Sequence, residues 1–193
     1  DLAGAIRALR LDHPAVLGHS MGGGTALALA SLFPELPGAI LIEDASASNT
    51  TTARTAQDQA WLDRARAQFA EFAAATREEL IARCHEQSPL WSAEELGPWA
   101  DSKKRVSPNV LNRAQSVPLD WATLLPRITC PALLITADPE RGGMVTAAAA
   151  REMRAAVPQL QVEHITGAGH SIHREQFARY LEVVRAFLAD QYC

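Results

Sequence analysis

The stretch GHSMGG at residues 18–23 constrains the fold of this chain more than any other segment. It follows the apolar run AVL at residues 15–17 and precedes an alanine- and leucine-rich run that stops at Pro34. Glycine allows sharp turns and close backbone approach because it has no Cβ. These segments therefore predict a buried strand over 13–18, a tight turn, and a helix over 25–33.

The same alternation of apolar runs and helical periodicity continues through most of the chain. Further strands are predicted over 39–42, 132–136 and 160–165, and further helices over 2–9, 144–156 and 174–188. Strands that alternate with helices favour parallel pairing, with helices covering the sheet. The predicted fold class is α/β, with a parallel sheet of about four strands and flanking helices.

The alternation of predicted strands and helices stops after Ser46, where the residues are polar with helical periodicity and no run resembles a strand. A structureless segment of this length is improbable in a compact protein, so we predict a helical insertion. Its aromatic residues are expected to pack locally or to line a substrate pocket, with one predicted helix face formed by Trp61, Ala65, Phe69 and Phe72. The predicted organisation is a core over 1–45, a helical lid over 46–120, and a second core segment over 121–193.

Ser20 has the position of a nucleophile within a strand, a tight turn and a helix, the context of the G-x-S-x-G motif. A serine hydroxyl needs a general base. His170 is the candidate, because it follows the glycine-rich stretch GAG after the last predicted strand. His19 is expected to shape the pocket, and His173 to cap a helix or face solvent.

A carboxylate is expected to orient the base, and three candidates follow predicted strands. Asp138 is preferred because it directly follows the strand predicted over 132–136. Glu140 is an alternative in the same loop, and Asp44, after the preceding strand, is the third. Such a carboxylate accepts the second imidazole N–H and stabilises the imidazolium.

Composition and motif spacing narrow the possible partners. The formal net charge is −4 and the sequence pI is about 5.9, so nucleic acid is not expected as a partner, and the short run KKR at 103–105 is interpreted as a solvated segment. The histidines lack metal-ligand spacing, and neither a phosphate-binding loop nor a dinucleotide turn matches, so no metal or cofactor is expected.

The cysteines and the absence of long apolar runs give a prediction of cellular location. The three cysteines, at positions 84, 130 and 193, are far apart and are expected to be unpaired thiols. No run approaches the length of a membrane span, and the first residues do not have the pattern of a signal peptide. These features predict a cytoplasmic protein without membrane association, and they leave its oligomeric state open.

The GHSMGG turn, the ending GAGHSIHRE, and the order Ser20, Asp138, His170 resemble the α/β-hydrolase superfamily over almost the whole chain. The resemblance implies a serine hydrolase with the Met21 N–H in the oxyanion hole. It also implies a small-molecule substrate with an acyl group, with a carboxylic ester expected first. Cofactor-free haloperoxidase activity is a second possibility on this scaffold.

Members of the superfamily have strands before the elbow strand, with a His-Gly loop that supplies the second oxyanion donor. Only about a dozen residues precede the elbow strand here. The expectation is that the chain is the C-terminal part of a larger hydrolase. The corresponding alternative function is a non-catalytic binding protein that keeps the pocket without turnover.

Overall fold

The computed structural model describes residues 1–47, 56–115 and 119–192. Contacts divide the chain into two compact units. The first comprises Asp1–Asn49 with Leu119–Cys193, and the second comprises Thr50–Pro118.

The first unit is built on a parallel sheet of four strands within the described residues. The strands are β1 (Ala15–His19), β2 (Ala39–Glu43), β3 (Ala132–Ala137) and β4 (Leu160–Ile165), in the order β1-β2-β3-β4. All three pairings are parallel, as predicted. β2 and β3 are buried throughout, whereas β1 lies at an edge and leaves Leu17 45% exposed. The prediction of a buried first strand was therefore wrong.

Helices cover both faces of this sheet. The helices of the first unit are α1 (Leu2–Ala8), α2 (Met21–Leu32), α6 (Trp121–Leu124), α7 (Ala147–Ala156), α8 (Ile172–Glu175) and α9 (Phe177–Tyr192). Ile40, Ile42 and Leu134 pack in one core with residues of α2, α6 and α7. On the other face, Leu41 and Leu133 pack with residues of α8 and α9. The closing helix was predicted as one element, and the structure divides it at Gln176.

The second unit is helical in its described residues. It contains α3 (Ala56–Ala74), α4 (Arg77–Gln87), α5 (Ala93–Arg105) and a 3₁₀ helix (Pro108–Gln115). A capping box between Thr76 and Glu79 begins α4, as its sequence pattern T-x-x-E favours. Phe72 is buried, but Trp61 is 57% exposed and the buried Leu62 takes its place on the inner face. The inner face of α3 therefore includes Leu62 in place of the predicted Trp61.

Two further features of the described residues bear on the sequence predictions. Cys84 and Cys130 are free, buried thiols, and burial raises the pKa of Cys130. Cys193 lies outside the described residues. None of the helices described is both long enough and apolar enough to cross a membrane.

Candidate active site

Ser20 stands at the tip of the turn between β1 and α2, in a backbone conformation that is rare for a residue with a side chain. Its φ is 53° and its ψ is −116°. The Ser20 N–H donates to the Glu43 carbonyl oxygen at 2.9 Å, which joins the turn to the end of β2. Positive φ at a non-glycine residue costs on the order of 1–3 kcal/mol and is concentrated at functional sites. The turn therefore holds Ser20 at the carboxyl edge of the sheet, at the start of α2.

The glycines of the turn serve different purposes. A Cβ on Gly18 would overlap the carbonyl group of Gly22, so the strand and the helix approach each other there backbone to backbone. A Cβ on Gly23 would lie 2.6 Å from the Cβ of Ala45. A Cβ on Gly22 would meet nothing within 4 Å. Close approach of neighbouring atoms thus explains glycine at positions 18 and 23, and it does not explain Gly22, the second glycine of the G-x-S-x-G motif.

Gly18→Ala is expected to lower the free energy of unfolding by about 3 kcal/mol or more, because β1 and α2 must separate to accept the methyl group. Gly22→Ala is the matched control: its methyl group enters open space, and alanine favours the helix by up to about 1 kcal/mol. Urea unfolding of both variants measures the difference. Equal stabilities would show that the close approach at Gly18 does not constrain the turn.

Asp44 and His170 form a hydrogen-bonded acid–histidine pair at the carboxyl edge of the sheet. His170 Nδ1 donates to Asp44 Oδ2 at 2.7 Å, and the Asp44 side chain is fully buried. The same carboxylate accepts the N–H groups of Met144, at 2.8 and 3.0 Å, and of Val145, at 3.1 Å. Because Nδ1 carries the proton of this bond, Nε2 of His170 keeps its lone pair.

The environment shifts the pKa of both members of this pair. Burial favours the neutral acid, but the bonds from His170, Met144 and Val145 outweigh it and lower the pKa of Asp44. The hydrogen bond to Asp44 raises the pKa of His170, against the opposing effect of burial. Asp44 is therefore the charged partner of a histidine that binds a proton more readily than an ordinary imidazole.

The structure does not bring Asp138 to His170. Asp138 accepts instead from His164 Nε2 at 2.9 Å and from the Gly167 N–H at 2.7 Å. The loop after β4 brings His170 to Asp44, which follows β2, next to the elbow strand, whereas Asp138 follows β3, two strands from it. The preference for Asp138 as the partner of His170 is thus corrected in favour of Asp44.

Glu140 and Met21 are the remaining predicted site residues. Glu140 is exposed in a short 3₁₀ helix (Pro139–Arg141), and among the described residues it makes no bond to His170. Met21 is the first residue of α2, directly after Ser20, as the oxyanion prediction requires. Through its bond to the Gly167 N–H, the Asp138 carboxylate anchors the start of the loop that carries His170. The position of Asp138 in the sequence did not reveal this role.

A second buried acid was missed by sequence reasoning. Glu43, the last residue of β2, is 1% exposed and accepts from His173 Nδ1 at 2.8 Å and from the His173 N–H at 3.0 Å. His173 was expected to cap a helix or face solvent. The sequence signal that could have indicated this pair is the glutamate at the end of the apolar strand AILIE, because a buried carboxylate requires hydrogen-bond partners.

The first unit contains a cavity of about 330 Å³. Its walls come mainly from β3, β4 and α7, and its polar lining residues are Thr136, Arg151, Arg154 and His164. Ser20, Asp44 and His170 do not line it. Within the described part of the chain, no cluster of His, Cys, Asp and Glu side chains has the arrangement of a metal site.

Comparison with known proteins agrees with this architecture. A model of the alpha/beta hydrolase family matches residues 1–183. The chain belongs to the alpha/beta hydrolase family. A search of curated protein sequences finds no significant match.

Solved structures of this family share the fold at low sequence identity. The crystal structure of E-2-(acetamidomethylene)succinate hydrolase has a TM-score of 0.74 and 22% identity, over 98% of this chain and 71% of that one. A thermophilic esterase from Thermogutta terrifontis, with malate bound, has a TM-score of 0.68 and 23% identity, over 100% and 71%. The enol-lactonase from Burkholderia xenovorans LB400 has a TM-score of 0.70 and 20% identity, over 98% and 70%. These similarities support the fold of the family.

Proposed function

We propose that this chain carries the nucleophile, base and acid of a serine hydrolase that cleaves carboxylic esters through an acyl-enzyme. The observation that supports the proposal most directly is the 2.7 Å bond between His170 Nδ1 and the buried Asp44. The strained turn at Ser20 is linked to this pair through the adjacent His19, which bonds the His170 carbonyl oxygen. In this proposal Ser20 is the nucleophile, His170 the general base, and Asp44 the group that orients and stabilises the base. Membership of a hydrolase family supports the reaction class.

The proposed reaction begins when Ser20 Oγ attacks the carbonyl carbon of the ester and transfers its proton to His170 Nε2. The Met21 N–H, at the start of α2, is the proposed donor to the oxyanion. His170 then protonates the leaving alcohol as the bond between the carbonyl carbon and the alcohol oxygen breaks, and Asp44 stabilises the imidazolium while it exists. In the second half, His170 removes a proton from water, which attacks the carbonyl carbon of the acyl-enzyme. The bond from this carbon to Ser20 Oγ then breaks, His170 returns the proton to Oγ, and the acid leaves.

A fluorophosphonate probe tests the proposal without knowledge of the substrate. Ser20 Oγ is expected to displace fluoride from phosphorus while its proton passes to His170, leaving a stable phosphonate ester. Intact-mass spectrometry is expected to show one adduct per chain, and peptide mapping is expected to place it on Ser20. Ser20→Ala is expected to abolish the adduct.

The control for reactive surface hydroxyl groups is Thr25→Ala, because the Thr25 hydroxyl donates to the Met21 carbonyl within the first turn of α2. Labelling of this variant is expected to match the wild type. If folded wild-type protein remains unlabelled, the proposal of an active serine fails and a non-catalytic binding role is favoured. Labelling that survives in Ser20→Ala would place the nucleophile elsewhere.

A further inference from the structure

Two consecutive acids at the end of β2 each hold a histidine from the segment that follows β4. Asp44 binds His170, and Glu43 binds His173 three residues later, with both carboxylates almost fully buried. The proposed reaction uses only the Asp44 pair. Burying a carboxylate is costly unless it is hydrogen-bonded, so the second pair calls for an explanation in terms of what it holds in place.

Glu43 joins three elements at one point. Its carboxylate accepts from both the side chain and the backbone of His173 in α8. It also acts on Tyr180 in α9: burial raises the pKa of the Tyr180 hydroxyl group, and Glu43 acts in the same direction. The position of the start of α8, two residues after His170, is therefore set by the end of β2.

His19 connects this second pair to the first. Its Nε2 donates to the carbonyl oxygen of His170 at 2.8 Å. Its ring centre lies 4.5 Å from that of His170 and 5.4 Å from that of His173. Burial lowers the pKa of His19, so the ring is a neutral hydrogen-bond donor to the His170 backbone.

The backbone of His170 is thus held on both sides. His19 binds its carbonyl group, and Glu43 binds His173, the second residue of α8. Because His19 directly precedes Ser20, the same contacts tie the nucleophile turn to the histidine loop. A shift of about 1 Å between a nucleophile and its base can cost a hundredfold in rate.

We propose that Glu43, His173 and His19 form a positioning unit that sets the His170 imidazole relative to Ser20. The proposal rests on the proposed function, since it assigns a purpose to contacts around its base. The three residues are positioning residues, because each acts on the reaction through His170 or through the turn at Ser20.

Glu43 also acts on His170 through its charge. The hydrogen bond to Asp44 raises the pKa of His170, burial opposes it, and the charges of Asp44, Glu43 and Glu175 add to the increase. The other titratable neighbours of Glu43 are His19, His173 and Tyr180. Loss of the Glu43 charge is therefore expected to lower the pKa of His170, and the base then stays unprotonated to lower pH.

The experiment measures the second-order rate constant for fluorophosphonate labelling of Ser20 as a function of pH, in wild type and in Glu43→Gln. The variant keeps the size of the side chain and removes its charge. We expect the rate at the optimum to fall tenfold to a hundredfold. The acid limb of the profile is expected to move to lower pH, which a general loss of stability would not produce.

Glu163→Gln is the matched control, because Glu163 lies on β4, is about half exposed, and pairs at 3.8 Å with Arg179 on the surface. It is expected to keep the wild-type rate and profile. Circular dichroism and thermal unfolding establish that each variant is folded.

His173→Gln provides a second measurement in case Glu43→Gln does not fold. Glutamine can donate to Glu43 but cannot reproduce the ring contacts, so a labelling rate several-fold below wild type is expected. A wild-type rate and acid limb in a folded Glu43→Gln, or a wild-type rate in His173→Gln, would overturn the positioning role. Failure of the wild type to label would instead refute the proposed function.

Discussion

Replacing Asp44 with asparagine is expected to lower the turnover of p-nitrophenyl butyrate by about 10⁴-fold, the loss typical of a serine hydrolase whose orienting acid is neutralised. The reason lies in the donors around this carboxylate. The N–H groups of Met144 and Val145 require an acceptor, so the amide oxygen of the introduced asparagine stays with them. Its NH₂ group then faces His170 Nδ1 and forces the proton onto Nε2, where the ring can no longer act as a base.

The control is Asp138→Asn, the substitution that sequence reasoning favoured as the damaging one. Asp138 binds His164 and the Gly167 N–H, and its loss is expected to loosen the start of the histidine loop. The expected decrease in turnover is tenfold or less. Initial rates for the two variants, with folding checked by circular dichroism, decide between the carboxylates. A 10⁴-fold loss in Asp138→Asn alone would return the orienting role to Asp138.

The parts of the fold that follow local rules were predictable from the sequence. Apolar runs of strand length identified the four strands of the sheet, and the glycine turn placed Ser20 between a strand and a helix. Gly18 shows why this was possible. A side chain there would overlap the backbone of Gly22, so the turn requires glycine at this position. A constraint between residues four apart needs no knowledge of the rest of the fold.

The partner of His170 depends on contacts that no local pattern encodes. Two carboxylates, Asp44 and Asp138, follow neighbouring strands, and both accept hydrogen bonds from a histidine and from backbone N–H groups. Which of them meets His170 is decided by the path of the loop after β4. Strand order would have helped, since Asp44 lies one strand from the elbow and Asp138 lies two.

The Glu43–His173 pair escaped prediction for a related reason. From the hydrophobic pattern alone, Glu43 is interpreted as the polar end of an apolar strand, and His173 as a residue at the start of a helix. Their contact spans 130 positions and appears only when α8 packs over the end of β2. A buried charge at a strand end indicates that partners must exist, and it does not say from which element they come.

Ser20→Ala, His170→Ala and the double variant are each expected to lower kcat for p-nitrophenyl butyrate to the same residual rate, on the order of 10⁶-fold below wild type. The losses should not add, because Ser20 Oγ is an effective nucleophile only while His170 can take its proton. Independent contributions would instead make the double variant slower than either single variant by a further large factor.

His164→Ala is the matched control for loss of an imidazole, since His164 is half exposed and pairs with Asp138. It is expected to retain turnover within about tenfold of wild type, because its ring orients no group of the proposed triad directly. Initial rates at high enzyme concentration, corrected for hydrolysis in buffer without enzyme, measure all four variants. A single variant that keeps a rate well above the double variant would show that the two groups act separately. Proton transfer from Ser20 to a His170 that is stabilised by Asp44 would then not describe the reaction.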